Sequence, residues 1–329
     1  LALWDYAAAA PYVGIDMNPV DVGLGDSSKD AVFISPHKFV GGPGTPGVLV
    51  VKQQLLANRV PSVPGGGTVA YVSPRNHRFT DHPERREEGG TPAIVESIRA
   101  GLVFQLQQAV GTDRIAALES SFVRRALERW RRCEFLELLG ATTQDRLSIV
   151  SFRVHHRDGE LHYGFITALL NDLFGIQARG GCSCAGPYGH ALLEIDDARS
   201  KRLEEQVLAG HTVLRPGWVR LNFNYFIDEE TFEYLLRAVE LVARHGWRLL
   251  PFYDYHTSSG TWRYQGRAGE VNTALNCLSR LDDSSSAHKQ VEPWKLVSYL
   301  ELAELELLKA RDDALKYQLK LPPAAEEIC

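Results

Sequence analysis

The 329-residue chain is poor in sulfur: it has one methionine, Met17, and five cysteines, Cys133, Cys182, Cys184, Cys277 and Cys329. An odd, dispersed set of thiols argues against a disulfide framework and suits a reducing compartment, so the cytoplasm is the expected location. No Cys/His cluster with ligand spacing accompanies them, which argues against a metal centre. No apolar run is long enough to span a bilayer. The opening stretch, Leu1 to Gly14, contains Asp5 and Pro11 and has no basic start, so it is neither a signal peptide nor a membrane span. There is no basic stripe, and the net charge of -5 argues against a nucleic-acid or anionic-membrane partner. Internal repeats are absent. What is present is an ordinary globular composition: 44% hydrophobic residues over a length that allows about two domains, each with its own core.

Periodicity divides the chain into three regions. Over residues 1–112, short apolar strands (Leu1 to Trp4, Ala31–Ser35, Val48–Val51) alternate with loops, and a regular apolar face predicts a helix from Ala93 to Val110; this reads as part of a large parallel-sheet domain. Over residues 113–250, helices at Asp113–Trp130, Leu161–Leu173 and Glu229–His245 and strands at Leu147–Val154 and Val219–Asn224 predict a smaller α/β domain. Residues 251–329 form a tail. It begins with an aromatic-studded loop, Tyr253 to Trp262, continues through a polar linker, Asp282 to His288, and ends in a charged amphipathic helix, Trp294 to Leu319, suited to packing or oligomer contacts.

Chemistry-bearing residues lie at the joints of this pattern. Ile34-Ser35-Pro36-His37-Lys38, followed by Gly41-Gly42-Pro43-Gly44, puts one lysine after a strand and beside flexible backbone. An amine that attacks a carbonyl must be held in this way, with partial desolvation lowering its pKa, although a surface lysine before a turn reads the same. Ser35 and His37 supply a hydroxyl and an imidazole suited to a phosphate, or simply form a turn. Asp5, at the end of the first strand, is either a buried partner for a cationic group or an N-cap before the alanine run. Thr91 stands between two glycines and a proline, where it exposes its hydroxyl or merely starts a helix. Arg179-Gly180-Gly181-Cys182-Ser183-Cys184 puts a thiol on a glycine-flanked loop beside a positive charge. Cys184 is the candidate nucleophile; a structural thiol, or half of a metal or redox pair with Cys182 and with His190 as the near imidazole, are the alternatives. Arg220 can grip a carboxylate with two parallel hydrogen bonds, or pair with Asp228 or Glu229 at a sheet edge.

Taken in order, these segments resemble the class V aminotransferase superfamily, in particular cysteine desulfurases and selenocysteine lyases. The likeness covers about residues 1 to 245. Asp5 with Ser35-x-His37-Lys38 resembles the cofactor half of the family's site. Gly65-Gly66-Gly67 followed by Glu88-Gly89-Gly90-Thr91-Pro92 resembles the segment that brings a threonine from the partner subunit to the cofactor phosphate. Arg179 to Pro187 resembles the loop carrying the sulfur-accepting cysteine, and Val219-Arg220-Leu221-Asn222 the strand whose arginine grips the substrate carboxylate. Four ordered motifs are far more specific than one.

The resemblance implies an α/β fold of the type I pyridoxal 5'-phosphate (PLP)-dependent transferases and a PLP cofactor, with Lys38 bonded to its aldehyde carbon, Asp5 on its pyridine nitrogen, and Ser35, His37 and Thr91 on its phosphate. It implies Arg220, with Arg179, on a small amino-acid substrate, and Cys184 removing sulfur or selenium to leave alanine and a persulfide. A homodimer with a shared site and a sulfur-acceptor protein follow as expected partners. Two features depart from the family: Ala8 stands where many members have a glutamine, and Cys182 and Ser183 stand where histidines often precede the cysteine. Members also carry a segment ahead of the Asp, including an aromatic that stacks on the cofactor. This chain enters at the strand ending in Asp5, so it is expected to be the carboxyl-terminal portion of a longer protein. The alternatives are an aminotransferase or other lyase of the same fold, which would not need Cys184, or an inactive fragment.

Overall fold

In the computed structural model the described residues are 1–20, 25–141, 146–157, 159–182, 186–265 and 293–310. The chain separates into two compact units, residues 1–118 and 119–329.

Unit 1 is built on a three-stranded sheet of β1 (Leu3–Asp5), β2 (Ala31–Ile34) and β3 (Val48–Val51). The β1–β2 pair is parallel, with Asp5 level with Phe33, whereas β3 runs antiparallel to β2. A hairpin of β4 (Val69–Val72) and β5 (His77–Phe79) and the short helix α1 (Pro83–Glu87) follow, leading to α2 (Ile94–Val110). The α2 helix starts one residue later than its apolar pattern predicts, with Ala93 as its N-cap. It packs Val103 and Phe104 against Phe39, whose ring meets that of Phe104 edge-on at 5.1 Å. The core here is small, centred on Ala10, Phe39 and Val103.

Unit 2 holds the main core. Helix α3 (Thr112–Trp130) leads into β6 (Leu136–Leu139), β7 (Ile149–His156), β8 (Gly159–Leu161), α4 (Tyr163–Phe174), β9 (Arg179–Gly181), α5 (Gly186–Leu192), α6 (Asp197–Leu208), β10 (Trp218–Asn222) and α7 (Glu229–His245). The sheet runs β6-β7-β10-β9, all antiparallel, with β8 beside β7. Strict alternation along β7 puts Val150, Phe152 and Val154 on the core face, where Val219 and Leu221 of β10 join them. Helix α7 is capped by the Asp228 carboxylate, which accepts from Thr231 N–H at 2.8 Å, and carries Glu229 and Glu230 in its first turn and Arg244 and His245 in its last. It buries Phe232, Leu236, Val239 and Ala243, a helical stripe.

The region beyond residue 250 differs from the sequence expectation of an aromatic loop. Tyr253–His256 (β11) and Thr261–Tyr264 (β12) pair as an antiparallel hairpin. Alternate aromatic residues turn inward: Tyr253 and Trp262 contact Phe165 with ring centroids 5.4 and 5.3 Å away. Helix α8 (Pro293–Lys309) sinks Leu300, Ala303 and Leu307 into the same core as α4 and α7. The polar linker at 282–288 and the predicted helical turns at 311–319 lie outside the described residues. None of the described helices is long and apolar enough to cross a membrane.

One buried carboxyl makes unit 2 sensitive to pH. Glu119, on α3, is 4% exposed and accepts a hydrogen bond from Tyr225 N–H at 3.1 Å. Burial pushes its pKa up to about 7, only partly offset by that bond. A raised folded-state value favours the fold fully below the unfolded value near 4.5, and the contribution is lost as pH rises through 7, on the order of 3 kcal/mol in all. Glu119→Gln keeps an acceptor for Tyr225 without the charge. The stability difference between variant and wild type, measured by urea unfolding, is expected to move in favour of the variant between pH 5 and pH 8. A difference that does not change with pH would remove Glu119 as the titrating group.

Candidate active site

Asp5, Ser35, His37 and Lys38, four of the unit 1 residues singled out by sequence, stand at one end of the sheet. Asp5 is the last residue of β1 and Ser35 follows the last residue of the neighbouring parallel strand β2, so both lie at strand carboxyl ends, where open α/β sheets bind ligands. After Ser35 the chain makes one 3-10 turn, Pro36–Lys38, with Pro36 presetting its start and Lys38 N–H donating to the Ser35 carbonyl at 3.0 Å. Phe39 anchors the turn on α2, leaving His37 and Lys38 exposed. Gly42 folds the chain back so closely that a Cβ there would collide with the Pro36 carbonyl, and Gly41 and Gly44 have φ of 79° and 84°. The glycines after Lys38 are thus a steric requirement of the turn. The Asp5 carboxylate accepts from Ala7 N–H at 2.7 Å; the residues after it form turns, so the helix that an N-cap at Asp5 would start does not form. Thr91 is exposed, three residues ahead of α2.

Unit 2 supplies a second group. Arg220, on β10, lies directly opposite Arg179 of β9 on one side and Ser151 of β7 on the other. Directly opposed residues of antiparallel strands project to the same face, so two guanidinium-bearing side chains and a hydroxyl share one row, on the face away from the core. Like charges placed this way repel unless an anion joins them. The edge-strand reading of Arg220 does not hold, because β10 has a neighbour on each side. Asp228 caps α7, and Glu229 accepts from both terminal nitrogens of Arg125 at 2.9 and 2.6 Å.

The loop after β9 is only partly described, and Ser183, Cys184 and Ala185 lie outside the described residues. Cys182 is half-buried against the Leu139, Leu193 and Trp218 cluster. His190 has both ring nitrogens in hydrogen bonds, to the Gly186 carbonyl at 2.8 Å and the Ser200 hydroxyl at 3.0 Å. Among the described residues no three His, Cys, Asp or Glu side chains cluster as a metal site.

Sequence reasoning missed what packs against β9. A Cβ at Gly180 or Gly217 would come within 2.7 or 2.6 Å of the Tyr163 ring, so both glycines are needed for that ring to lie against the strands. Burial raises the Tyr163 pKa, with the Cys182 thiol among the smaller contributors. Beside it, His162 accepts from Gly164 N–H at 3.0 Å and from the Trp262 indole at 2.9 Å, both at Nδ1. Two donors on one nitrogen fix the tautomer with the proton on Nε2, and burial pushes the imidazole pKa down to about 4. The aromatic run of the supposed tail was the available signal, since alternate large rings in a short stretch mark one face of a strand.

The fold is the α/β fold of the type I PLP-dependent transferases. Residues 1–230 match the family described as aminotransferase class-V, and the chain belongs to that family. It is 31% identical over 188 residues to a probable cysteine desulfurase of Halobacterium salinarum, covering 57% of this chain and 42% of that protein. It is 28% identical over 184 residues to one of Streptomyces coelicolor, covering 56% and 41%. The apo cysteine desulfurase of Thermococcus onnurineus superposes with a TM-score of 0.56 at 26% identity, covering 74% of this chain and 52% of that one. The cysteine desulfurase CsdA of Escherichia coli shares the fold, with a TM-score of 0.54 at 23% identity over 72% of this chain and 50% of that one. The chain thus spans about two fifths of the length of these curated relatives.

The donor set fits PLP. An exposed primary amine, a carboxylate, a hydroxyl and an imidazole stand at neighbouring strand ends, on a turn whose glycines would not admit a side chain at Gly42.

Proposed function

We propose that this chain carries the cofactor lysine, the carboxylate arginines and the thiol of a PLP-dependent cysteine desulfurase, which takes sulfur from cysteine, or selenium from selenocysteine, and yields alanine and a persulfide. The observation that carries the reading is the placement of Asp5 and the Lys38 turn at the carboxyl ends of adjacent parallel strands. The family membership and the relatives named above support it.

Lys38 would hold the cofactor through its ε-amine, Asp5 would hold the pyridine nitrogen in its protonated form, and Ser35 and His37 would bind phosphate oxygens. When bound, PLP supplies an electron sink for the bonds at the substrate's α-carbon. Arg220 and Arg179 fix the substrate carboxylate and so orient its α-proton and its sulfur. With its ε-amine free, Lys38 would take that proton and return one to carbon. The Cys184 thiolate forms a bond to the substrate sulfur as the carbon–sulfur bond breaks, the bonding pair goes to carbon, and carbon then takes up a proton. The persulfide remains on Cys184 for an acceptor thiol or acceptor protein. The same reading includes a homodimer in which Thr91 reaches the partner's phosphate site, a division into domains near residue 112, and a reducing compartment, the cytoplasm, that keeps Cys184 a thiol.

The test is to mix the full chain with PLP, reduce with borohydride and map the modified peptide by mass. Labelling confined to Lys38 is the expected result. Labelling scattered over the other lysines, or none, would overturn the assignment of Lys38. Cysteine turnover that survives Cys184→Ala would instead leave Lys38 in place and move the activity to an aminotransferase or another lyase.

A further inference from the structure

The strand that carries Arg179 toward the thiol loop is weakly held by its own sequence. β9 is three residues long, two of them glycines, and among the described residues it pairs with β10 on one side and with no strand on the other. Gly181 has a φ of 112°, so the backbone keeps the freedom of glycine. Gly180 stands opposite Val219, which faces the core, yet has no side chain to anchor the strand there. The ring of Tyr163 takes that place: a Cβ at Gly180 would come within 2.7 Å of it, and a Cβ at Gly217 would meet both the ring and the Gly181 Cα at 2.6 Å.

Tyr163 is held in turn by the hairpin. Its ring meets the imidazole of His162 at 4.2 Å, and His162 Nδ1 accepts from the Trp262 indole at 2.9 Å. Gly164 admits both rings, since a Cβ there would come within 3.0 Å of the imidazole and 3.2 Å of the indole. Burial keeps the imidazole neutral at neutral pH, so the acceptor is present. The hairpin lies beyond residue 230, where the family match ends, and is tied down twice more. The Tyr253 hydroxyl donates to the Asp172 carboxylate in the last turn of α4 at 2.9 Å, and the Tyr255 hydroxyl lies 2.9 Å from that of Thr212, shortly before Gly217 and β10. We infer that the hairpin β11–β12 positions β9: Trp262 fixes His162, His162 fixes the Tyr163 ring, and that ring sets the height of the strand that bears Arg179 and leads into Cys182. All three are positioning residues. That Arg179 and the thiol loop serve a cysteine substrate rests on the proposed function; the packing does not.

The test is the rate at which iodoacetamide alkylates Cys182 in the full chain, followed by peptide mapping and read against Cys133, which is 4% exposed in the core of the same unit. Loss of positioning frees Cys182 alone, whereas loss of stability frees both thiols. Trp262→Phe keeps a ring and removes the donor to His162; it is expected to raise the Cys182 rate about fivefold and leave Cys133 unchanged. Tyr163→Ala, which removes the contact itself, is expected to raise it by about tenfold or more. His162→Ala is expected to behave like Trp262→Phe, and His162→Asn, whose side-chain oxygen accepts from the same donors, to restore the wild-type rate. A Cys182 rate within about twofold of wild type in Trp262→Phe or Tyr163→Ala, a parallel rise at Cys133 in Trp262→Phe, or His162→Asn no better than His162→Ala would each overturn the inference. Alkylation needs neither PLP nor substrate, so its outcome is independent of the labelling of Lys38.

Discussion

Lys38→Ala is expected to reduce cysteine turnover by roughly a thousandfold or more and to abolish the borohydride-fixed label, with the melting temperature unchanged. The size follows from the two duties proposed for one nitrogen: holding the cofactor aldehyde and carrying the α-proton. The indifference of the fold follows from structure, because the turn is held by backbone hydrogen bonds and by buried Pro36 and Phe39, whereas the lysine side chain is exposed. Lys38→Arg separates charge from nucleophilicity. Guanidinium keeps the positive charge but has no accessible free pair, so this variant is expected to be as inactive as alanine. Turnover within tenfold of wild type in either variant would sink the role given to Lys38.

Leu307→Ala is expected to destabilise unit 2 by about 3 kcal/mol, in the range for removing a fully buried leucine, and the adjacent Leu308→Ala by less than about 1 kcal/mol. Leu307 is 0% exposed and lies in the core with residues of α4 and α7, while Leu308 is 45% exposed one residue along the same helix. The two substitutions remove the same atoms from the same element and differ in burial alone. Urea unfolding read by far-UV circular dichroism gives both values. Equal, small losses would mean that α8 is a dispensable appendage after all.

The sequence was most legible where one physical pattern dominated. The alternation of β7, with buried Val150, Phe152 and Val154, and the capped stripe of α7 announce themselves, and both lie within two residues of where the periodicity puts them. Lys38 was singled out by the company of Asp5, Thr91, Cys184 and Arg220 in order, since a lysine between a strand and a glycine run also reads as a surface residue before a turn. Less legible were features made by pairing. That Arg179 and Arg220 stand side by side depends on the register of two strands separated by about forty residues. Tyr163 requires Gly180 and Gly217 only because three segments meet there. The hairpin at residues 253–264 was read as a loop because its aromatic residues were weighed as composition, when their alternation carried the signal.

The placement of α8 also sets an order of assembly during synthesis. A chain leaves the ribosome from its amino end, so residues 1–118 emerge before the rest is made. Unit 2 has no such head start. Its sheet and α7 are finished by residue 245, yet the apolar surface that Leu300, Ala303 and Leu307 cover stays bare until residue 310 has emerged. For that interval the nascent chain presents an oily face to the crowded exit of the ribosome. Slow codons or chaperone depletion between residues 245 and 310 would therefore harm the yield of this protein more than the same disturbance anywhere earlier in its synthesis.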